Sequence, residues 1–224
     1  MSDIPLIRST PWDTLAFDMP TWELLEYSAL ALEWAKITNG HHTIKVNPLA
    51  DKKLLHEYGF YYCDTVIEPN CSKDRLRLSR NPKATISKIV DANHVTAICH
   101  GAFAHGRFHR DYNLSKSKAD LRYDNWLKEL LNKEQVYGLY WERELAGFIG
   151  YSENNLVLHA IAENYRGKGL AKYWWSEACI QLLKSNNQEV KSSISVSNLP
   201  ILRLYASLGF SFDNPKDIYH CVVD

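Results

Sequence analysis

The turn at residues 166–169, Arg-Gly-Lys-Gly, has the residue types of an anion site. It stands between NLVLHAIAE, which alternates like a strand, and GLAKYWWSEACIQLLKSNN, which has apolar residues at every fourth position like a helix. The first amides of a helix lack partners within it and attract anions. Glycine permits positive φ and a close approach of the backbone, and Arg166 and Lys168 add positive charge. The turn therefore predicts a binding site for a diphosphate.

This turn matches neither of the two common nucleotide-binding fingerprints. A P-loop requires GxxxxGK followed by Ser or Thr, whereas a single residue separates Gly167 from Gly169. The dinucleotide fingerprint GxGxxG fails at Lys172, which occupies the place of the third glycine. Taken alone, the turn is also compatible with a plain connection between a strand and a helix.

Two ordered motifs give the turn a context. YRGKGLA fits the pattern Arg/Gln-x-x-Gly-x-Gly/Ala, with Arg166, Gly169 and Ala171 in the three signature places. Downstream, SNLPILRLYASLGF contains the residues of a second signature, Asn198, Tyr205 and Gly209-Phe210. In these motifs and their order, residues from about 93 to 224 resemble the GNAT superfamily of N-acetyltransferases. The resemblance implies an α/β GNAT acyltransferase fold with a mixed central sheet.

The resemblance also implies acetyl-CoA as the acetyl donor, with its diphosphate on the turn. The pantetheine arm would lie between the strands LHAIA and SSISVS, which separate in this fold, and an amide near Ile161 would polarise the thioester carbonyl. Asn198 would bridge the backbone and the pantetheine, or simply cap the helix that starts with Pro200. Ile201 replaces the family's usual Ala and would narrow this channel. The residues expected to bind the donor are Ile161, Arg166, Gly167, Lys168, Gly169, Leu170, Ala171 and Asn198.

Direct attack of an amine on the thioester requires proton transfers, and the sequence offers two candidates. Tyr205 stands at the position of the family's general acid, where it would protonate the departing CoA thiolate, although a tyrosine in this helix also fits core packing. His159, two residues before Ile161, has a pKa range suited to accepting the amine proton through water. A lone histidine in a strand is equally compatible with a structural role, so the base stays open.

Residues 101–132 resemble the corresponding segment of acetyltransferases that act on nucleotide-linked deoxyamino sugars. Those enzymes also share this length and a small α/β module ahead of the catalytic domain, so the resemblance extends over most of the chain. It implies a sugar nucleotide as acceptor, whose diphosphate needs cations and whose rings need aromatic faces. The expected acceptor-binding residues are Arg107, His109, Tyr123 and Trp126. Tyr123 and Trp126, three apart in a helix, are equally compatible with a core stripe.

Two other functions are compatible with the sequence. The same fold acetylates polyamines, antibiotics and protein N-termini, and an acetyltransferase for ribosomal-protein N-termini would need an open peptide groove. The insert between Arg110 and Tyr123 could cover that entrance. A non-catalytic acyl-CoA-binding sensor is the alternative from another class, and the presence of Tyr205 argues against it.

The composition narrows the classes of partner. Of the 224 residues, 46% are apolar and 23% are charged, which is the balance of a folded globular protein. Lys plus Arg and Asp plus Glu number 26 each, so the chain lacks the basic excess of a nucleic-acid binder. The N-terminus has no secretory signal pattern and no apolar run approaches membrane-spanning length, which predicts a soluble cytoplasmic protein.

The cysteines and histidines predict neither disulfides nor a metal site. The five cysteines are odd in number and scattered without CxxC pairing, so we expect reduced, mostly buried thiols. His105 and His109 have helical i,i+4 spacing, but no acid stands between them in an HExxH arrangement. The segment KYWWSE is compatible with the surface of a homodimer or with half-buried packing.

The predicted elements divide the chain near Asp91. Residues 1–91 read as an irregular start, a helix WELLEYSALALEWAKI, a strand HTIKV, a short helix ADKKLLHEYGF and a strand YYCDTVIE. Residues 92–224 read as two helices, HVTAICHGAFA capped by Asn93 and NWLKELLN, then three adjacent strands, the glycine turn with its helix, and a final strand, helix and strand. We therefore expect a smaller N-terminal α/β module ahead of the GNAT domain.

A short internal similarity, here called the internal echo, links the two parts. LLHEYGFYYCDTVIE and RLYASLGFSFDNPKDIYHCVV share the order helix, Gly-Phe, strand, and superposing the Gly-Phe pairs sets Leu55 against Tyr205. The first copy has no glycine-rich turn upstream. The match is compatible with a degenerate duplicated half-unit or with coincidence.

Overall fold

A computed structural model describes residues 6–184 and 188–224, and its strands and helices alternate along the chain. The strands are β1 Ile7–Ser9, β2 Thr21–Leu24, β3 Gly40–Val46, β4 Tyr61–Ser72, β5 Ala84–Ser87, β6 Val136–Trp141, β7 Glu144–Ser152, β8 Asn155–Ile161, β9 Glu189–Ser192, β10 Ile194–Ser195 and β11 Ser211–Val223. The helices are α1 Pro11–Phe17, α2 Ala29–Ile37, α3 Lys53–Glu57, α4 Ala92–Cys99, α5 Arg107–Arg110, α6 Lys116–Asn132, α7 Ala171–Lys184 and α8 Leu199–Ser207.

All the described strands belong to one mixed sheet. Its order is β1-β2-β3-β11-β4-β9-β8-β7-β6-β5, with β10 paired to β4. The pairs β2/β3 and β8/β9 are parallel and the others are antiparallel. The sheet and its connections give the predicted GNAT fold.

The two halves of the sequence interleave within this sheet. β4, from the first 91 residues, lies between β9 and β11 of the later part, and β11 in turn lies between β3 and β4. The contact is extensive, since β11 pairs with β4 from Ser211 to His220 and with β3 from Asp217 to Val223. The division into a module at 1–91 and a domain at 92–224 stays a prediction.

The sheet carries a helical layer on each face of its β5–β9 region. α7 and α8 bury Trp174, Trp175 and Tyr205 in the largest core cluster, while α4 and α6 cover another cluster through Val95 and Leu127. Trp174 and Trp175 are 0% and 1% exposed. Core packing therefore explains these tryptophans, which leave no surface for a partner chain, and the homodimer stays a prediction.

The two halves of the internal echo share local geometry. Gly59 and Gly209 have φ values of 80° and 91°, and each ends a helix before a phenylalanine. The amide of Phe60 donates to the carbonyl of Leu55, as the amide of Phe210 donates to that of Tyr205, at 2.8 and 3.1 Å. The following strands, β4 and β11, pair with each other.

Several predicted boundaries differ from the structure. Residues 21–24 form β2 rather than the start of a helix because they pair with β1 and β3, and α2 begins only after Ser28, whose side chain accepts from the amide of Ala31. The predicted irregular start contains α1, with proline in its first turn, where proline costs no hydrogen bond. α6 extends back through the polar stretch to Lys116.

Asp91, not Asn93, caps α4, since its carboxylate accepts from the amides of Asn93 and His94. The predicted end of the α7 helix at Asn187 lies outside the described residues. All five cysteines are buried free thiols, which confirms that prediction. Among the described helices, none has the length and apolar character needed to cross a bilayer.

Candidate active site

A cavity of about 1060 Å³ opens where β8 and β9 separate. The two strands pair only at Asn155 with Lys191 and at Leu156 with Ser192. Beyond that point residues 157–161 of β8 and residues 193–195 line opposite sides of the cavity, because β10 pairs with β4 instead. This confirms the predicted separation of the two strands.

One end of the cavity has the features of the predicted donor site. Gly167 and Gly169 have φ values of 72° and 68°, and no atom lies within 4 Å of where a Cβ would stand at either position. Within the described part of the chain, none of the backbone amides from Gly167 to Lys172 has a hydrogen-bond acceptor. Unpartnered amides beside an open backbone at the start of a helix fit a diphosphate.

The other predicted donor residues surround this turn. Ile161, Arg166, Gly167, Ala171 and Asn198 line the cavity, and so does Ile201. Lys168, Gly169 and Leu170 lie in the same turn but are not among the lining residues, and the Lys168 ammonium stands 5.7 Å from the ring centre of Tyr165. Arg166 Nε donates to the Ile161 carbonyl at 2.6 Å, so it holds the turn against the end of β8.

Asn198 is the N-cap of α8. Its Oδ1 accepts from the amide of Ile201 at 3.4 Å, and Pro200 stands in the first turn. The capping alternative is therefore observed. The residue also lines the cavity, and its side-chain amide has two donors that the cap does not use.

His159 and Tyr205 meet behind the cavity wall. His159 lines the cavity and packs edge-on against Trp175, with ring centres 5.1 Å apart. The Tyr205 hydroxyl lies 3.4 Å from His159 Nε2, but Tyr205 is fully buried and is not a lining residue. Burial lowers the pKa of His159 to about 4 and raises the pKa of Tyr205 above its usual value. Near neutral pH both groups are uncharged.

The opposite end of the cavity is basic and aromatic. Arg107, Tyr123 and Trp126 line it, as predicted, together with further residues from α4 to α6, namely Phe103, Phe108 and Arg122. Tyr123 stacks on Phe103 with ring centres 4.5 Å apart. The Arg107 guanidinium has no ion-pair or hydrogen-bond partner among the residues that the structure describes, and burial lowers its pKa. An unpaired, half-buried guanidinium is suited to an anionic ligand.

Comparison with known proteins relates part of this chain to a family. Residues 105–210 match the model of the acetyltransferase (GNAT) family. The match spans 106 of the 224 residues, so this part of the chain is similar to a GNAT acetyltransferase domain. The protein is accordingly an acetyl-CoA-dependent N-acetyltransferase.

Several solved structures share the fold of this chain over most of its length, at low sequence identity. A GCN5-related N-acetyltransferase from Sphaerobacter thermophilus has a TM-score of 0.65 at 10% identity, over 91% of this chain and 72% of that one. A tandem GNAT protein from the clavulanic acid biosynthesis pathway has a TM-score of 0.56 at 13% identity, over 90% of this chain and 75% of that one. A GCN5-related N-acetyltransferase from Kribbella flavida has a TM-score of 0.57 at 10% identity, over 90% of this chain and 80% of that one. A comparison with curated protein sequences finds no match.

His109 lies outside the GNAT cavity, although it was expected at the acceptor site. Its Nε2 is hydrogen-bonded to Asp120 at 2.8 Å, its ring stacks on Tyr123 at 5.9 Å, and its side chain is 6% exposed. Because it occupies the turn of α5 opposite Arg107, it supports Tyr123 from behind and does not face the cavity.

Arg122 and Asp64 are among the lining residues of the cavity that were not predicted from the sequence. Arg122 lies over the ring of Trp126, four residues on in α6, at 4.7 Å, and its Nε donates to Asp13 at 2.9 Å. Because residues four apart in a helix lie side by side, its spacing from Trp126 could have predicted this contact. Asp64 comes from β4, outside the region that resembles the family, and no local pattern marks it as a cavity residue.

A second polar cluster lies away from the GNAT cavity. His41 Nε2 and His220 Nδ1 are hydrogen-bonded to Asp111 Oδ2 at 3.2 and 2.7 Å, and Tyr61 donates to the same carboxylate. The possible ligand atoms of His41, Asp111 and His220 all lie within 4.8 Å of one another. Burial alone would raise the pKa of Asp111, but the bonds from His220 and His41 lower it well below its usual range. The cluster ties α5 to β3 and β11.

Proposed function

We propose that the protein transfers acetyl from acetyl-CoA to the amino group of a nucleotide-linked deoxyamino sugar, the reaction type of the dTDP-fucosamine (dTDP-4-amino-4,6-dideoxygalactose) acetyltransferase that its sequence resembles. The observation that carries this acceptor is the unpaired Arg107 guanidinium beside the aromatic side chains of Phe108, Tyr123 and Trp126. A cation suits the diphosphate, and flat rings suit the base and the pyranose faces.

The donor would lie with its diphosphate on the amides of the 166–171 turn. The pantetheine would follow the opening between β8 and β9, past Asn198 and Ile201. This path brings the thioester to the stretch from His159 to Ile161, where the sheet edge leaves backbone groups available to polarise the carbonyl. Alignment of amine and thioester in this cavity supplies much of the rate acceleration.

In the proposed reaction, the amine nitrogen attacks the thioester carbonyl carbon, the C–N bond forms, and the C–S bond breaks. Tyr205 serves as the general acid for the CoA thiolate. Because its hydroxyl contacts His159 and not the cavity, its proton reaches the sulfur through the His159 imidazole. His159 is therefore the group of the pair that touches the reactants.

β4, which belongs to the proposed N-terminal module, would form part of the acceptor site. Asp64 and Val66 of β4 line the cavity. The module is then a structural part of the active site and not a separate regulatory unit.

A thiol-release assay with acetyl-CoA tests the acceptor. The panel contains 4-amino and 3-amino dTDP-sugars, UDP-amino sugars, polyamines and ribosomal-protein N-terminal peptides. Turnover restricted to a nucleotide sugar is expected. Turnover with peptides alone would refute the sugar acceptor and support the N-terminal acetyltransferase alternative. Tight CoA binding without turnover of any amine would support a non-catalytic sensor.

A further inference from the structure

We propose that Asp64 is the residue that binds the ammonium group of the acceptor and accepts its first proton. The inference deepens the proposed function, because it concerns the primary amine at the same cavity. Asp64 lies on β4, and its side chain is 3% exposed yet lines the cavity.

The two carboxylate oxygens of Asp64 have different surroundings. Oδ1 accepts from Ser195 Oγ at 2.7 Å, from Arg110 Nη1 at 2.8 Å and from the amide of Thr65 at 2.9 Å. In the described part of the chain, no donor reaches Oδ2. Oδ2 is not one of the fully buried polar atoms that lack a partner, so it is accessible from the cavity. The free oxygen is therefore available to a ligand.

The position of Asp64 fits an amine that approaches the thioester. Ser195, its partner, belongs to β10 and follows by three residues the point where β9 ends at Ser192. Asp64 therefore stands beside the opening between β8 and β9 that would admit the pantetheine. The three hydrogen bonds to Oδ1 hold the carboxylate in one orientation, so the position of Oδ2 is also fixed.

Arg107 supplies the complementary charge at the same end of the cavity. The Arg107 guanidinium has no hydrogen-bond or ion-pair partner in the described part of the chain, and Asp64 offers an unpartnered oxygen on a carboxylate that Ser195 and Arg110 hold in place. A ligand that satisfies both carries an ammonium group and an anionic group. A nucleotide-linked amino sugar meets this requirement through its amine and its diphosphate.

The proton balance of the reaction assigns a separate role to Asp64. An acceptor amine arrives as R–NH₃⁺ and leaves as an amide with one N–H, so it loses two protons. The first passes from the ammonium to Asp64 Oδ2, which frees the nitrogen lone pair for attack. The second leaves the nitrogen as the C–S bond breaks and restores the proton that the Tyr205–His159 pair has given to the CoA sulfur. Burial, opposed by Ser195 and Arg110, raises the pKa of Asp64, which favours its action as a base.

The first test compares Asp64→Asn with Glu68→Gln. Glu68 is the matched control because it is another carboxylate of β4, is exposed at the rim of the cavity, and accepts from Asn214 Nδ2 at 2.9 Å. With the amine that gives the highest turnover, Asp64→Asn is expected to lower kcat/KM for the amine by about 100-fold or more. The KM for acetyl-CoA should stay within about threefold of wild type. Unchanged kcat/KM in Asp64→Asn, or an equal loss in Glu68→Gln, would overturn the assignment.

The second test moves the pKa of Asp64 without removing it. Ser195→Ala deletes one donor to the charged carboxylate, so the pKa of Asp64 rises and the acidic limb of kcat/KM shifts to higher pH. The other groups near Asp64 stay in place, namely Arg107 and Arg110 of α5, Tyr123 of α6 and Cys63 of β4. An acidic limb at the same pH as in wild type would overturn the proposal, because a purely structural role predicts no shift.

A failure of the Asp64 assignment can be distinguished from a failure of the proposed sugar acceptor. If nucleotide sugars fail but another amine reacts, the same variants are assayed with that amine, and only the sugar proposal falls. If no amine reacts, phosphoethanolamine, which carries one ammonium and one phosphate, is titrated into the CoA-loaded protein. Binding that weakens tenfold or more in Asp64→Asn supports the inference, and equal binding or no binding by wild type overturns it.

Discussion

Tyr205 and His159 form one buried pair, with the tyrosine hydroxyl 3.4 Å from the imidazole Nε2 and only the imidazole of the two lining the cavity. Tyr205 also packs against Phe210 with ring centres 4.7 Å apart, so its ring and its hydroxyl have separable roles. In the proposed mechanism this side chain is both a proton donor and a core residue.

Tyr205→Phe is expected to lower kcat by roughly 10- to 100-fold, because it keeps the packing of the ring and removes the proton. The affinity for CoA and the melting temperature should change little. Steady-state kinetics together with calorimetric CoA binding measure both. Tyr151→Phe is the control, since its hydroxyl contacts the Glu134 carbonyl at the surface. Full turnover in Tyr205→Phe would remove Tyr205 from the mechanism.

His159 predicts a loss of stability on acidification. Its pKa in the folded protein is lowered to about 4 by burial, whereas an unfolded histidine titrates near 6.5. Between these values the unfolded chain binds more protons, so the free energy of unfolding falls as the pH drops from about 6.5 towards 4. The loss attributable to His159 is on the order of 2 to 3 kcal/mol.

Urea denaturation at pH 7.5 and pH 4.5 measures this loss in wild type and in His159→Gln. The difference between the two pH values should be smaller in the variant by that amount. His220, whose pKa burial lowers to about 3, contributes in both proteins and so cancels in the comparison. An identical pH dependence in wild type and variant would show that His159 is not buried in its neutral form.

Gly169→Ala is expected to weaken CoA binding severalfold and to destabilise the protein by about 1 to 2 kcal/mol. Its φ of 68° is unfavourable for a residue with a Cβ, while no atom within 4 Å would clash. Gly101→Ala is a matched control, because Gly101 has a φ of 71° and equally open surroundings far from the turn. It should cost similar stability and leave CoA binding unchanged. Equal effects of both variants on CoA would contradict the assignment of the turn.

Arg107→Gln is expected to raise KM for the nucleotide sugar by about tenfold or more, with little effect on KM for acetyl-CoA. The reason is the loss of a charged, half-buried donor that has no other partner in the described chain. Arg203→Gln, on the exposed side of α8, removes the same charge from the surface and should leave both constants near wild type. A higher KM for acetyl-CoA in Arg107→Gln would place Arg107 at the donor instead.

The local structure at the expected donor end could be predicted from the sequence because its parts are contiguous. The turn at 166–169, the helix after it, and Asn198 ahead of α8 each depend on residues within one or two turns of one another. Local rules for glycine, for helix termini and for capping therefore suffice. The same rules failed at residues 21–24, where pairing with β1 and β3 overrides the helical pattern.

The sequence by itself determined the GNAT fold and the acetyltransferase activity, and it predicted the turn at 166–169 as the place for the donor's diphosphate. Only the tertiary structure decided that His159 and Asp64 line the cavity, and that Tyr205 and His109 do not. Asp64 and its partner Ser195 are 131 residues apart in the chain. The physical reason is that β4 pairs with β10 and β11, and such long-range pairing leaves no periodic signal near the residues that it brings together.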